Sequence, residues 1–201
     1  VPLGEWVLQQ ACAQAAAWQR AGQPLVVAVN LSGVQFKRGD LVDCVAAALL
    51  EHGLDPALLE LELTETILIE GTEHVLDNLQ RLKALGVQLS IDDFGTGYSS
   101  LAYLSRLPVD KLKIDQSFVR SLREVPANAT IVRMVVQMAR SLGIRSIAEG
   151  VEDAQARDFL LANQCDEAQG YWFSRPRPAA ELQRLFAGED CFEGLWCLLP
   201  E

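Results

Sequence analysis

The sequence is poor in the features that would anchor the chain in a membrane or cross-link it. It contains no run of about 18 apolar residues, so we expect no membrane span, and its first residues lack a secretory-signal pattern. Its five cysteines are scattered, without the spacing of a zinc site or a disulfide scaffold. We therefore expect a cytoplasmic setting, although a longer parent chain could be tethered to a membrane through another domain.

Basic residues are also scarce. The chain has 17 Lys and Arg against 27 Asp and Glu, which gives a net charge of −10. Because binding to a nucleic-acid polymer depends on clustered Lys and Arg, we expect no such polymer as a partner. A small phosphorylated ligand held through metal ions is compatible with this charge, and the acidity can also serve solubility alone.

Half of the 201 residues are hydrophobic, which is enough for the core of one domain. Alternating and amphipathic patterns predict strands that alternate with helices. The predicted strands are 25–32, 58–66, 87–95, 109–118, 144–152 and 165–174. The predicted helices are 5–21, 41–52, 73–85, 99–107, 129–142, 153–162 and 179–186. Gly53, Gly86 and Gly143 each follow a helix, as C-terminal caps do.

Repeated strand–helix units predict a parallel sheet, either an open doubly wound sheet or a closed (β/α)8 barrel. Open sheets of the nucleotide-binding type usually have a glycine-rich first turn, and residues 25–32 lack one. We favour a TIM-like barrel with about six βα units, its first two strands absent. Helix 5–21 has no strand before it, and the sequence starts at Val1, so we expect residues 1–201 to form a single, N-terminally truncated domain.

Polar residues interrupt each predicted strand near its carboxyl end, where a doubly covered strand should be apolar. They are Asn30, Glu62, Glu65, Asp92, Asp93, Lys113, Asp115, Glu149, Glu152, Glu167 and Gln169. In a parallel barrel these ends share one rim, the usual place of the active site. The pattern therefore predicts a functional site built from these side chains.

Divalent cations would explain this crowding, because unpaired carboxylates repel one another and are costly to bury. Oxygen ligands favour Mg²⁺, Mn²⁺ or Ca²⁺ over zinc. The neighbours Asp92 and Asp93 could serve two ions, an arrangement typical of phosphoryl hydrolysis. A single acid at a strand end is often only a helix cap or a surface group, so Glu65 and Asp115 could be structural, and the Asp92–Asp93 pair could be a turn.

Six motifs, in order along nearly the whole chain, resemble those of one family. They are Asn30–Ser32 (NLS), Glu62–Glu65 (ELTE), Asp92–Ser100 (DDFGTGYSS), Lys111–Asp115 (KLKID), Ala148–Glu152 (AEGVE), and Gln169–Tyr171 (QGY) with Phe173–Pro176 (FSRP). The family is that of the EAL-domain cyclic di-GMP phosphodiesterases. The resemblance implies a TIM-like barrel that hydrolyses cyclic di-GMP to linear pGpG with Mg²⁺ or Mn²⁺. It implies two ions per site, with Ca²⁺ as an inhibitor or substitute.

The resemblance also implies roles for single residues. The implied metal ligands are Asn30, Glu62, Asp92 and Asp93. The implied catalytic residues are Lys113, which would hold or deprotonate the attacking water, with Glu149, Gln169 and Glu65. The implied substrate and loop residues are Asp115, Gly95, Gly97, Ser99 and Glu152. Glu65 would anchor loop 94–100, through which a homodimer would form, and an upstream sensory or GGDEF-type domain is expected.

The sequence departs from the family at its start. The Glu-Ala-Leu motif that names the family, with an Arg two residues later, lies on an earlier strand, and this sequence begins after that strand. We therefore expect residues 1–201 on their own to be impaired or inactive. The alternative function is a non-catalytic EAL-like module that senses cyclic di-GMP or contacts a protein. The intact Asp92–Asp93 pair, Lys113 and Glu65 favour descent from an active enzyme.

Overall fold

The computed structural model describes residues 2–38, 40–65, 67, 73–95, 97 and 101–186. They divide into two compact units. The first lies within Val1–Asp92 and Gly97–Asp110, and the second within Asp93–Thr96 and Lys111–Glu201. Among the described residues, no helix has both the length and the apolar character that a bilayer crossing requires.

The first unit consists of parallel strands and the helices between them. Its strands are β1 (Val27–Leu31), β2 (Leu59–Thr64) and β3 (Gln88–Phe94), of which the last two residues belong to the second unit. Its helices are α1 (Pro2–Arg20), α2 (Gly33–Arg38), α3 (Leu41–His52), a 3-10 turn (Pro56–Leu58), α4 (Glu73–Leu85) and α5 (Leu101–Leu104). Strand β2 pairs in parallel with β1 on one side and β3 on the other.

Strand β2 is buried on both of its faces. Leu59, Leu61 and Leu63 are fully buried and alternate with Glu60 and Glu62, which are 4% and 7% exposed. Successive side chains of a strand point to opposite faces, so the leucines form one face and the glutamates form the other. The strand therefore stabilises an apolar layer while it presents carboxylates on the opposite side.

A carboxylate fixes the entry to β3. Asp110 accepts a hydrogen bond from the Leu89 N–H at 2.8 Å and pairs with the Lys83 ammonium at 2.8 Å. Lys83 also donates to the Val87 carbonyl at 3.1 Å. Asp110 therefore joins the end of α4 to the first residues of β3.

The second unit repeats the same alternation. Its complete strands are β4 (Lys111–Ile114), β5 (Arg145–Ala148) and β6 (Glu167–Ala168). Its helices are α6 (Gln116–Arg120), α7 (Pro126–Leu142), α8 (Ala154–Ala162) and α9 (Ala179–Phe186). Strand β5 pairs in parallel with β4 and with β6.

These elements confirm the predicted fold class, because strands alternate with helices along the chain and neighbouring strands within each unit pair in parallel. Gly53 and Gly143 cap their helices with positive φ angles of 61° and 72°, as predicted. The prediction missed helix Gly33–Arg38, and it made the last strand too long. Residues after Ala168 turn instead, since the Phe173 and Ser174 N–H groups both donate to the Gly170 carbonyl. That residues 1–201 form one domain stays a prediction.

Candidate metal and catalytic centre

In the first unit, three predicted ligands occupy neighbouring positions on parallel strands. Asn30 is in register with Glu62, and Thr64 is in register with Asp92. Neighbouring strands lie about 4.8 Å apart, so Asn30 and Glu62 project side by side from one face. Glu62 is buried, Asp92 is half-buried and Asn30 is exposed.

Glu65 holds a backbone segment that contains a glycine. Its carboxylate, on a residue only 3% exposed, accepts a hydrogen bond from the Gly97 N–H at 3.1 Å. A Cβ atom on Gly97 would lie 2.9 Å and 3.2 Å from the two carboxylate oxygens. Contacts as short as the first are essentially never seen, so a side chain at position 97 would displace the Glu65 carboxylate or the segment that it holds.

In the second unit, a buried lysine faces a glutamate. The Lys113 ammonium lies 2.8 Å from the Glu149 carboxylate, and the two side chains are 5% and 19% exposed. Lys113 is near the end of β4, and Glu149 follows β5, where its N–H donates to the Ile114 carbonyl. The pairing of β4 with β5 therefore brings the two charges together.

Two aspartates extend this cluster within the second unit. The carboxylate oxygens of Asp93 and Glu149 lie within 4.8 Å of each other, close enough to share one ion. Asp93 adopts a left-handed backbone with φ of 53°, which is uncommon for a residue other than glycine and is frequent at functional sites.

Asp115 begins helix α6 and also contacts Asp93. Burial alone raises the pKa of Asp115, but hydrogen bonds from the Ser117 hydroxyl and the Ser117 N–H, together with a side-chain interaction with Asp93, outweigh it and lower the pKa below its ordinary value. The Ser117 N–H bond to Asp115 is 2.9 Å long. Asp115 therefore acts both as a helix cap and as a neighbour of a predicted ligand.

The other predicted residues of the second unit make separate contacts. Glu152 pairs with Arg120 at 2.7 Å on the surface, a partner that the sequence did not indicate. Gln169 is exposed, and its backbone joins Ala148 and Val151 through hydrogen bonds. Gly95 has φ of 99°, and a Cβ there would meet the Phe118 ring at 3.1 Å. Ser99 lies outside the described residues.

Glu167 differs in its contacts from the other predicted rim residues. Its backbone is in register with Ile147, near the carboxyl end of β5. Its carboxylate, however, pairs with Lys111 at 2.8 Å and with Arg145 at 2.7 Å, the first residues of β4 and β5. Two cations at the amino ends of these strands therefore hold the Glu167 carboxylate.

Sequence reasoning also missed Ser90, a residue of β3 that is in register with Glu62 of β2. Ser90 is fully buried, and its hydroxyl oxygen has no hydrogen-bond partner among the described residues. A buried hydroxyl in this state costs about 1–3 kcal/mol, so a partner other than the described residues is expected. Only the strand register could have identified it, because a serine in a buried strand is ordinary by itself.

The donor set suits a hard divalent cation. Glu62, Asp92 and Asp93 offer carboxylate oxygens and Asn30 offers an amide oxygen, with no sulfur or imidazole among them. Magnesium and manganese prefer such ligands, whereas zinc prefers nitrogen and sulfur. The unsatisfied hydroxyl beside Glu62 also fits a site completed by an ion and its water.

Residues 1–176 match the family model of the EAL domain. MucR of Pseudomonas aeruginosa, a bifunctional diguanylate cyclase/cyclic di-GMP phosphodiesterase, is 45% identical over 183 residues, which are 90% of this chain and 27% of MucR. The cyclic di-GMP phosphodiesterase NbdA of the same organism is 46% identical over 182 residues, 90% of this chain and 23% of NbdA. The chain thus spans about a quarter of the length of these curated relatives.

Solved structures show the same fold. The MucR phosphodiesterase in complex with cyclic di-GMP matches with a TM-score of 0.88 and 45% identity, covering 90% of this chain and 74% of that one. The EAL domain of Mycobacterium smegmatis DcpA gives 0.88 and 40%, covering 99% and 86%. Klebsiella pneumoniae BlrP1 with manganese and cyclic di-GMP gives 0.78 and 33%, covering 87% and 44%. BlrP1 is also known with calcium and the same nucleotide.

Proposed function

Because the chain belongs to the EAL domain family, we propose that it is the catalytic part of a cyclic di-GMP phosphodiesterase that produces linear pGpG. The observation that carries the proposal is the buried Lys113–Glu149 pair with Asp93 beside it. A buried ion pair can be purely structural, as that of Lys111 with Glu167 is, but Asp93, a predicted metal ligand, lies beside Glu149. A water-activating centre needs such an arrangement, since it must position both a proton donor and acceptors.

The proposal includes two divalent ions, Mg²⁺ or Mn²⁺. Asn30, Glu62 and Asp92 would hold one, and Asp92 and Asp93 would serve the second. Such ions polarise the phosphate and generate a nucleophile from water. Ca²⁺ has the same preference for oxygen but a larger and more flexible coordination shell, so we propose that it occupies the site without supporting turnover.

The remaining residues would position the reactants. Lys113 would hold the attacking water, and Glu149 would fix the direction of the Lys113 ammonium through their 2.8 Å contact. Gln169 would complete the hydrogen-bonded network. Glu65, with Gly97, would keep the segment after β3 in place. Asp115 and Glu152, with the loop residues Gly95 and Ser99, would act on the substrate or the loop.

We also propose partners for the longer protein. MucR combines a diguanylate cyclase with a phosphodiesterase, so a GGDEF-type or sensory domain upstream is proposed here too. A homodimer through residues 94–100 is proposed as its assembly. That residues 1–201 alone turn over negligibly stays a prediction.

A direct assay tests the proposed function. The full-length protein with Mn²⁺ should convert cyclic di-GMP to pGpG, as followed by chromatography of the nucleotides. Addition of EDTA should stop the reaction, excess Mn²⁺ should restore it, and Ca²⁺ should not replace it. Tight binding without any turnover would contradict the proposal and would indicate the alternative function of a non-catalytic sensor.

Gly97→Ala should slow turnover about 10–100-fold, because its Cβ would displace the segment that Glu65 holds and misplacement of about 1 Å is enough for such a loss. Steady-state kinetics measures the effect. Gly143→Ala is the matched control, since Gly143 has φ of 72° but open space around an added Cβ. It should cost about 1–2 kcal/mol of stability from left-handed strain and leave turnover unchanged. Equal turnover for both variants would argue against a role for the Glu65–Gly97 contact.

A further inference from the structure

Ser90, at the centre of β3, has a buried hydroxyl that the described part of the protein leaves without a hydrogen bond. Buried polar groups almost always have a partner, in the protein or in a bound ligand or water. A serine that merely filled space in a strand could be an alanine at lower cost. The hydroxyl therefore points to something that binds beside it.

The strand register shows what lies beside this hydroxyl. Ser90 is in register with Glu62, which is in register with Asn30 on the next strand. Residues paired across parallel strands project to the same side, and Asp92, two residues after Ser90, projects to that side as well. The Ser90 hydroxyl is thus on the side of the oxygen donors.

The opposite side of the same strands is apolar. Leu61, Leu63, Leu89 and Ile91 are all fully buried, and each alternates with a polar residue. Other buried polar atoms without partners among the described residues are on Trp18, Gln23 and Tyr103. None of these three residues is on a strand, whereas Ser90 is on β3 and in register with Glu62.

We infer that Ser90 is a positioning residue for the divalent ion that Glu62 is proposed to bind. With the ion bound, the Ser90 hydroxyl donates a hydrogen bond to the Glu62 carboxylate, directly or through one water, and fixes the oxygen that faces the ion. This inference rests on the proposed function, since it requires Glu62 to be a ligand. Outer hydrogen bonds to ligating carboxylates are usual, and their loss lowers metal affinity about 10–100-fold.

The inference predicts opposite effects on the metal-free and metal-bound protein. Without metal, the Ser90 hydroxyl is buried and unsatisfied, so Ser90→Ala should leave the melting temperature unchanged or raise it. With metal, the same variant lacks the donor to Glu62, so Mn²⁺ should bind about tenfold more weakly. If Ser90 had a purely structural role, Ser90→Ala would change the melting temperature of the metal-free protein but would leave its affinity for Mn²⁺ unchanged.

The experiment combines Mn²⁺ titration calorimetry with thermal melting in EDTA, both on the full-length protein. Ser146→Ala is the matched control, because Ser146 is also fully buried on a strand but donates to Asp166 at 2.8 Å. It should melt at a lower temperature and bind Mn²⁺ like the wild type. Glu62→Gln, which removes the charge of a proposed ligand, should weaken Mn²⁺ binding more than Ser90→Ala does.

The outcomes separate this inference from the proposed function. Weaker Mn²⁺ binding by Ser90→Ala at an unchanged or higher melting temperature supports the positioning role. Wild-type affinity in Ser90→Ala, together with weak binding by Glu62→Gln, overturns the inference and leaves the proposed function intact. Wild-type affinity in Glu62→Gln overturns the inference and the proposed ligand role of Glu62 together.

Discussion

Lys113→Met is expected to lower the turnover of cyclic di-GMP by about 10³-fold, the range that a positioned acid–base group contributes. Methionine keeps most of the volume of this 5%-exposed side chain but removes the ammonium that contacts Glu149. The Glu149 carboxylate then loses its counter-charge, which should cost about 2 kcal/mol of stability. Stopped assays of pGpG formation, with the folded fraction measured by circular dichroism, separate the two effects.

Lys111→Met is a closely matched control for this variant. Lys111 is two residues earlier on β4, so its side chain is on the same face. It is also buried, with a side chain 9% exposed, and it pairs with Glu167 at 2.8 Å. We expect a comparable loss of stability with normal turnover per folded molecule. If both variants lost turnover equally, the special role of Lys113 would have to be abandoned.

Asp92→Asn should have the second largest effect, because the proposal makes this one carboxylate a ligand of both ions. Removal of a ligand should weaken Mn²⁺ binding at least about 100-fold, since changes in outer contacts already cost 10–100-fold. Turnover should fall with it and recover in part at high Mn²⁺ concentration. Electron paramagnetic resonance of free Mn²⁺ measures the affinity, and nucleotide chromatography measures the turnover.

Asp110→Asn is the control for Asp92→Asn, because it also removes a negative charge next to β3. Asp110 accepts the Leu89 N–H and pairs with Lys83, so its role in the structure is to hold β3. The variant should be less stable and should bind Mn²⁺ like the wild type. An Asp92→Asn protein with wild-type Mn²⁺ affinity would contradict the assignment of Asp92 as a ligand.

The sequence could predict the strands, and it singled out candidate metal ligands because polar residues interrupt an apolar pattern. Strand β2 is unusual because it is buried on both faces and still carries Glu60 and Glu62. In a parallel fold such a strand should be apolar, so its polar residues stand out as candidates for a site. Strand ends were less predictable. Asp115, for example, lies within the predicted strand 109–118, but its side chain accepts the Ser117 N–H and begins a helix instead.

Pairings between distant residues could not be predicted in this way. Glu167 follows the same sequence pattern as the other acids near strand ends, and only the positions of Lys111 and Arg145 show that its carboxylate is paired with the amino ends of β4 and β5. The contact of Glu65 with Gly97 spans 32 residues and depends on the backbone path between them. Ser90 required the register of β2 with β3, which no local pattern contains.

The alternation in β2 also limits how this segment can change during evolution. Insertion or deletion of a single residue within Leu59–Thr64 would rotate every following side chain to the opposite face. The glutamates would then point into the apolar layer that the leucines of β2 form. Leucines would take their place on the side from which Glu62 projects. Fold and chemistry would thus be lost in one genetic event, whereas substitutions can alter either of them separately. Length variation among natural descendants of this chain should therefore fall in the connections between its strands and helices.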